Sequence, residues 1–135
     1  MSVRVARCAC GELQVELVGE PDVVVVCHCL ECQRRTGSVF GVGAYFPRSA
    51  VICAGSYRTY SRSGSSGHAL HFHFCERCGS TVFWELELRP QHIGVAVGAI
   101  GDLGIRAPAR SVWEETRHSW VEFGCELGRH TRQGT

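Results

Sequence analysis

Apolar and polar residues alternate in short segments along most of the chain. Alternation over roughly four to eight residues is typical of a half-buried strand, because successive side chains of a strand point to opposite faces. β-Branched and aromatic residues are common in these segments, and Gly, Pro or Ser residues separate them. We predict strands over residues 3–7, 12–18, 23–26, 41–46, 51–54, 58–61, 69–75, 81–88 and 93–101.

Helical periodicity is nearly absent from the sequence. The segment LECQRRT, residues 30–36, predicts one helical turn, and residues 113–120 predict either a strand or a turn. SRSGSSGH, residues 61–68, predicts a flexible hairpin loop, because glycine and serine favour turns. The chain is therefore predicted to be one compact, mainly β domain of short antiparallel sheets.

Composition and charge exclude several classes of partner. The 135 residues are 44% hydrophobic and 20% charged, with a net charge of +1. Without a basic cluster or a row of stacking aromatic residues, nucleic acid is not an expected partner. No apolar run approaches the roughly 20 residues that a membrane span needs, and the first residues do not read as a signal peptide. We therefore expect a cytoplasmic protein with no membrane partner.

Nine cysteines are unusual for a chain of this length. An odd number without an export signal argues against a disulfide framework, and close cysteine pairs in a reducing compartment favour metal ligands or redox groups. Two pairs are followed by glycine, and each forms a hook that offers two thiolates to one metal ion. A closed tetrahedral site needs four ligands, so we predict a structural zinc site formed by Cys8, Cys10, Cys75 and Cys78.

A second cysteine group follows the four valines of VVVVCHCLEC. It contains Cys27, Cys29 and Cys32, and no fourth cysteine is adjacent. Three protein ligands with one open position are typical of a catalytic zinc. Three thiolates leave the site with a formal charge of −1, which suits binding and activating a thiol better than hydrolysing an amide.

Several alternatives remain open for the second group. Cys27 and Cys32 would form a redox disulfide if no metal binds, although no C-x-x-C here opens a helix after a strand of a βαβ unit. A fourth ligand would convert the group into a closed structural site, and the candidates are Cys53, His28, His68, His71 and His73. We interpret His28 instead as a packing or hydrogen-bonding residue, and Cys53 and Cys125 as small hydrophobic residues.

Three sequence patterns together resemble the glutathione-dependent formaldehyde-activating enzyme family, which includes the domain of centromere protein V. They are Cys8-Ala9-Cys10-Gly11, the run from Cys27 to Ser38, and the run from Phe74 to Ser80. The resemblance implies that residues 1–135 form a single zinc-binding domain with zinc-ribbon-like hairpins. It also implies two zinc ions per chain, a structural one on Cys8, Cys10, Cys75 and Cys78, and a substrate-side one on Cys27, Cys29 and Cys32.

The resemblance further implies a reaction. Members of the family condense formaldehyde with glutathione to S-hydroxymethylglutathione, which is a carbon–sulfur lyase reaction run in reverse. A glutathione-type thiol is therefore the expected small-molecule partner. Arg34 and Arg35 would receive its carboxylates and Ser38 would offer a hydroxyl, unless the arginines are plain surface charges and Gly37-Ser38 a plain turn. The alternative function is a zinc-binding module that recognises a protein or ligand without chemistry.

Overall fold

Eleven short strands and two short helices make up the part of the chain that the structure, a computed structural model, describes, residues 2–133. The strands are β1 Val3–Arg7, β2 Gln14–Val18, β3 Val23–Cys27, β4 Gly41–Pro47, β5 Val51–Ala54, β6 Arg58–Ser63, β7 Ala69–Phe74, β8 Thr81–Leu86, β9 His92–Ala96, β10 Arg110–Val112 and β11 Gly128–Arg129. The helices are α1 Leu30–Thr36 and α2 Val97–Ile100, and there are 3-10 turns at Arg48–Ala50 and Glu114–Thr116.

The strands form two sheets. A three-stranded sheet has the order β1-β2-β5, and an eight-stranded sheet has the order β11-β10-β3-β4-β9-β8-β7-β6. Neighbouring strands are antiparallel except for β10, which runs parallel to both β3 and β11. The prediction of a mainly β domain is confirmed, and the described helices include none long and apolar enough to cross a membrane.

One apolar core joins the two sheets. The buried cluster draws on β2 through Val15 and Leu17, and on the larger sheet through Val24, Phe46 and Val95. Along β3 the valines alternate between buried and half-buried positions, as expected for a strand that contacts different layers on its two faces. The outer face of β3, which carries Val25, is therefore left to line a cavity.

The predicted strand over residues 93–101 is wrong in its second half. Strand β9 ends at Ala96, and the chain then makes the single helical turn α2. Gly101 ends this turn with φ +66, a left-handed conformation that glycine adopts without steric cost. Ile100 is buried in the core cluster. A short apolar run does not by itself distinguish a strand from a buried helical turn, which explains the error.

Two glycines let an indole ring lie flat against the larger sheet. A Cβ atom at Gly43 would stand 2.6 Å from the Trp84 ring, and one at Gly94 would stand 2.1 Å from Trp84 Nε1. The ring therefore occupies the space above β4 and β9 that side chains would otherwise fill. Its Nε1 donates a hydrogen bond of 3.1 Å to Tyr45 Oη. The glycines thus fix both aromatic residues at one face of the sheet.

Replacing Gly94 by Ala is expected to destabilise the protein by about 1–3 kcal/mol, because the new methyl group forces Trp84 or the strand to move. Urea unfolding checks this against Gly98→Ala. A Cβ at Gly98 meets no atom within 4 Å and lies in α2, so that variant should keep or slightly gain stability. Equal stability of the two variants would contradict the tight packing of Trp84.

Candidate functional site

The first cysteine group has the dimensions of a tetrahedral metal site. The Sγ atoms of Cys8, Cys10, Cys75 and Cys78 all lie within 4.8 Å of one another. Cys10 Sγ is 3.7 Å from the Sγ atoms of both Cys8 and Cys75. Zinc–sulfur bonds of about 2.3 Å in a tetrahedron require sulfur atoms about 3.8 Å apart. The four thiols therefore fit one zinc ion.

Two glycine turns build this group. Gly11 has φ +84 and Gly79 has φ +80, and both conformations turn the chain sharply just after a cysteine pair. The Gly79 amide donates to the carbonyl of Cys75 at 2.8 Å, and the Gly11 amide to the carbonyl of Cys8 at 3.1 Å. Cys8 and Cys75 are buried, so each hook has one thiol in the core and one at the surface.

Ser80 ties the two hooks together. Its Oγ accepts a hydrogen bond of 3.0 Å from the Ala9 amide and lies 3.3 Å from Cys78 Sγ. The hydrogen bond from Ser80 lowers the pKa of the Cys78 thiol to about 5. The Glu12 amide lowers the pKa of Cys10, but desolvation and the neighbouring thiols outweigh it and raise the value to about 11. Four thiolates would coexist here only around a cation.

The second cysteine group lies where β3 passes into α1. Cys27 is the last residue of β3, Cys29 is the N-cap of α1, and Cys32 lies in the first turn of the helix. Their Sγ atoms lie within 4.8 Å of one another. Cys29 Sγ accepts a hydrogen bond of 3.3 Å from the Cys32 amide, as a capping side chain does. The short helix therefore holds all three thiols on one side.

Without a metal ion, the negative charge of the second group is confined to about one thiolate. Hydrogen bonds from Cys27 and Cys32 lower the pKa of the Cys29 thiol to about 2. The hydrogen bond to Cys29 raises the pKa of Cys27 well above its usual range. One thiolate thus suppresses the ionisation of its neighbours, and a divalent cation is needed to hold three. A soft, thiolate-only donor set of this size fits zinc.

Within residues 2–133, no fourth side chain joins the second group. Cys53 is exposed on β5, so its predicted packing among apolar residues is wrong, whereas Cys125 is half-buried. The other candidates are engaged elsewhere: His28 with Ser111, His68 with Glu87, His71 with Ser61, and His73 with Thr59 and Glu85. The group thus has three candidate ligands among the described residues.

His28 is buried beside the second group without joining it. Its Nε2 lies 2.9 Å from Ser111 Oγ, which in turn donates to Glu114 Oε2 at 2.6 Å. Its ring packs against Phe40 and Phe123, with ring centroids 5.9 and 5.7 Å away. Burial lowers the pKa of His28, so the neutral ring is favoured. The structure therefore gives His28 a packing and hydrogen-bonding environment that links β3 to the end of β10.

A cavity of about 500 Å³ opens over the three thiols. The outer face of the larger sheet forms its floor, and α1, the β6–β7 hairpin and the segment after β10 form its walls. This size lies within the range of small-molecule sites. Residues that line the floor and rim include Tyr45, Phe72, Trp84, Leu30, Arg62 and Trp113. The cavity is therefore a largely aromatic and apolar space with few charged groups.

Arg35 is the one predicted contact residue that lines this cavity. Its Cζ lies 4.9 Å from the ring centroid of Phe72 and 4.8 Å from that of Trp84, distances typical of cation–π contacts. Its Nη2 lies 4.0 Å from Cys32 Sγ. A Cβ atom at Gly41 would stand 2.9 Å from the same Nη2. The guanidinium is thus held beside the thiols rather than free in solvent.

Arg34 and Ser38 lie outside the cavity lining. Arg34 Nη1 pairs with Glu31 Oε1 at 3.2 Å, and the Arg34 side chain is 71% exposed. Consecutive residues of a helix point in different directions, so α1 turns Arg34 outward while Arg35 faces the cavity. Ser38 follows Gly37, whose φ of +71 ends the helix, and is exposed. The structure brings only Arg35 to the cysteines.

Several residues of the cavity are not predicted from the sequence. The sequence predicts a loop over residues 61–68, but β6 continues to Ser63 and places Arg62 at the cavity rim. Tyr45 comes from β4 with no local signal. Trp113 also lines the cavity and has φ +58, a left-handed conformation uncommon for residues other than glycine. The alternation of β7 and β8 was a usable signal for Phe72 and Trp84.

The chain is similar to a known protein family and to a solved structure. The family model described as glutathione-dependent formaldehyde-activating enzyme matches residues 3–121. No curated protein matches the chain at a significant level. A crystal structure of a Rhodobacter sphaeroides protein from a structural genomics project shares the fold, with a TM-score of 0.57 and 21% identity over 76% of this chain and 90% of that chain. Because the family model spans most of its length, the chain belongs to the glutathione-dependent formaldehyde-activating enzyme family.

Proposed function

We propose that the protein is a zinc-dependent carbon–sulfur lyase that adds a glutathione-type thiol to formaldehyde or another small carbonyl compound, and reverses that addition. One observation carries the proposal. The three thiols of Cys27, Cys29 and Cys32 lie at a cavity of about 500 Å³ and have no fourth ligand among residues 2–133. The family description supports the same substrates.

Each cysteine group has its own role in this proposal. Residues 1–135 act as a single zinc-binding domain with two zinc ions. The ion on Cys8, Cys10, Cys75 and Cys78 is structural, because its four ligands complete the coordination shell. The ion on Cys27, Cys29 and Cys32 leaves one position for the substrate thiol. Seven cysteines serve as metal ligands in this proposal and must stay reduced, so the cytoplasm is the compartment we propose.

The reaction forms one carbon–sulfur bond. The substrate thiolate adds to the carbonyl carbon, the carbon–oxygen π bond breaks, and the carbonyl oxygen takes up a proton. When bound, zinc would lower the pKa of the substrate thiol, so that the thiolate is present at neutral pH. Arg35, 4.0 Å from Cys32 Sγ, stabilises the negative charge of the three thiolates. The apolar floor formed by Phe72 and Trp84 excludes water from the reacting atoms.

A closed binding module would need a fourth ligand at the second group. Cys53 is exposed on β5. His28 is held by Ser111 inside the fold. Neither residue offers an atom to the three thiols. The geometry of the described residues therefore favours the enzyme over the module.

Native mass spectrometry and exchange-rate measurements by NMR test the proposal together. We expect two zinc ions per chain, a specific adduct with glutathione, and faster exchange between formaldehyde and S-hydroxymethylglutathione when the protein is present. Two zinc ions with no response to any thiol would support the binding module instead. A single zinc ion would mean that Cys27, Cys29 and Cys32 have another role.

A further inference from the structure

Arg62 reaches the cavity from strand β6, whereas Arg35 reaches it from helix α1. It lies near the end of β6, its side chain is 18% exposed, and its guanidinium Cζ lies 5.4 Å from the Phe72 ring centroid. Arg35 contacts the same ring at 4.9 Å. Two cationic side chains thus share one aromatic ring at the cavity wall. This arrangement requires negative charge nearby to offset their repulsion.

The guanidinium of Arg62 is poorly matched within the protein. Its nearest acidic partner is Glu31, with Nε and Oε2 3.9 Å apart, which is too far for a hydrogen bond. The other carboxylate oxygen of Glu31 already accepts from Arg34 at 3.2 Å. In the part of the chain that the structure describes, Arg62 makes no side-chain hydrogen bond. A guanidinium has five N–H donors, so a ligand in the cavity would find them available.

The cationic side chains beside the second site outnumber its negative charges by one. A zinc ion with three thiolates carries a formal charge of −1, which Arg35 beside Cys32 and Arg62 on the side of Cys29 both offset. Glu31 is offset in the same way by Arg34. Among residues 2–133, no acidic group lies within hydrogen-bond distance of Arg62. An anion on the substrate would complete this balance.

We propose that Arg62 is a specificity-determining residue that binds a carboxylate of the substrate thiol and rejects uncharged thiols. The proposal rests on the proposed function for the thiol-accepting site and adds the anionic group that the thiol must carry. The guanidinium fork matches a carboxylate with two parallel hydrogen bonds, and the cavity wall weakens competition from water.

Two thiols of equal length separate this role from simple packing. We expect the cobalt-substituted protein to bind 3-mercaptopropionate about ten to a hundred times more tightly than 3-mercaptopropionamide, the range of charge-assisted hydrogen bonds. The shift of the cobalt absorption bands measures both affinities. Arg62→Gln should remove this preference by weakening the acid alone, and Arg62→Lys should keep part of it, because the charge remains without the fork.

Arg58→Gln is the matched control. Arg58 lies four positions earlier on the same strand, and its exposed side chain pairs with Glu76 at 2.9 Å. This variant should discriminate between the two thiols as the unaltered protein does. If Arg62→Gln also discriminates normally, the specificity role is overturned while thiol binding stands. If neither thiol shifts the cobalt bands of the unaltered protein, the open thiol site is overturned, and the role of Arg62 with it.

Discussion

Replacing Cys78 by Ser is expected to abolish cooperative folding of the domain. Cys78 belongs to the four-thiol group that joins the amino-terminal hook to the hook after β7, and Cys10 and Cys75 in that group are 65 positions apart in the chain. Structural zinc contributes about 10–16 kcal/mol of apparent binding free energy in small domains. A domain is stable by only about 5–15 kcal/mol. A variant that no longer holds this zinc ion therefore loses a free energy comparable to the whole stability of the domain.

Circular dichroism during heating and zinc counting by mass spectrometry measure this effect. Cys53→Ser is the matched control, because Cys53 is an exposed thiol outside both groups and its loss should leave melting and metal content unchanged. Chelation of zinc from the unaltered protein should reproduce the Cys78→Ser result. A Cys78→Ser protein that melts normally with its full zinc content would contradict the structural role of the first group.

Local pattern was enough to predict most of the strands. The predicted bounds of β1 and β5 agree with the structure, and those of β7 agree to within one residue, because short β-branched or aromatic segments separated by Gly, Pro and Ser are a local signal for strands. The pairing of β10 with β3 could not be predicted from the sequence. Arg110 pairs with Val25, and a parallel pair between segments so distant in the chain is chosen by the packing of the whole sheet. Nothing near Arg110 signals it.

The metal centres and the cavity differ in how much the sequence reveals. Cys27, Cys29 and Cys32 come from six consecutive positions, so one strand end and one helical turn bring their thiols together. The cavity is assembled from the faces of β3, β4, β7 and β8, and its residues meet only when the larger sheet forms. Arg62 and Tyr45 carry no local signal for this reason. Their positions depend on the register of strands that are not neighbours in the chain.

Replacing Cys29 by Ser is expected to remove the second zinc ion and the thiol-dependent activity while the protein stays folded. The change removes a thiolate from the three-ligand group, which has no fourth ligand among the described residues to compensate. Ser is also a favoured N-cap residue, so its hydroxyl can accept the hydrogen bond that Cys29 Sγ now accepts from the Cys32 amide. Helix α1 therefore keeps its cap, and the loss is confined to the metal.

Cys29→Ala separates the two contributions of this side chain. It removes thiolate and cap together, so it should lose the same activity and, in addition, about 1 kcal/mol of stability relative to Cys29→Ser. We expect both variants to retain one zinc ion and to melt cooperatively, whereas Cys78→Ser does not. The exchange rate between formaldehyde and its glutathione adduct should fall to the rate without protein. If Cys29→Ser unfolds as Cys78→Ser does, both groups are structural. An open substrate-side metal would add little stability to the core that β2 and the larger sheet already share, so its loss alone would not unfold the domain.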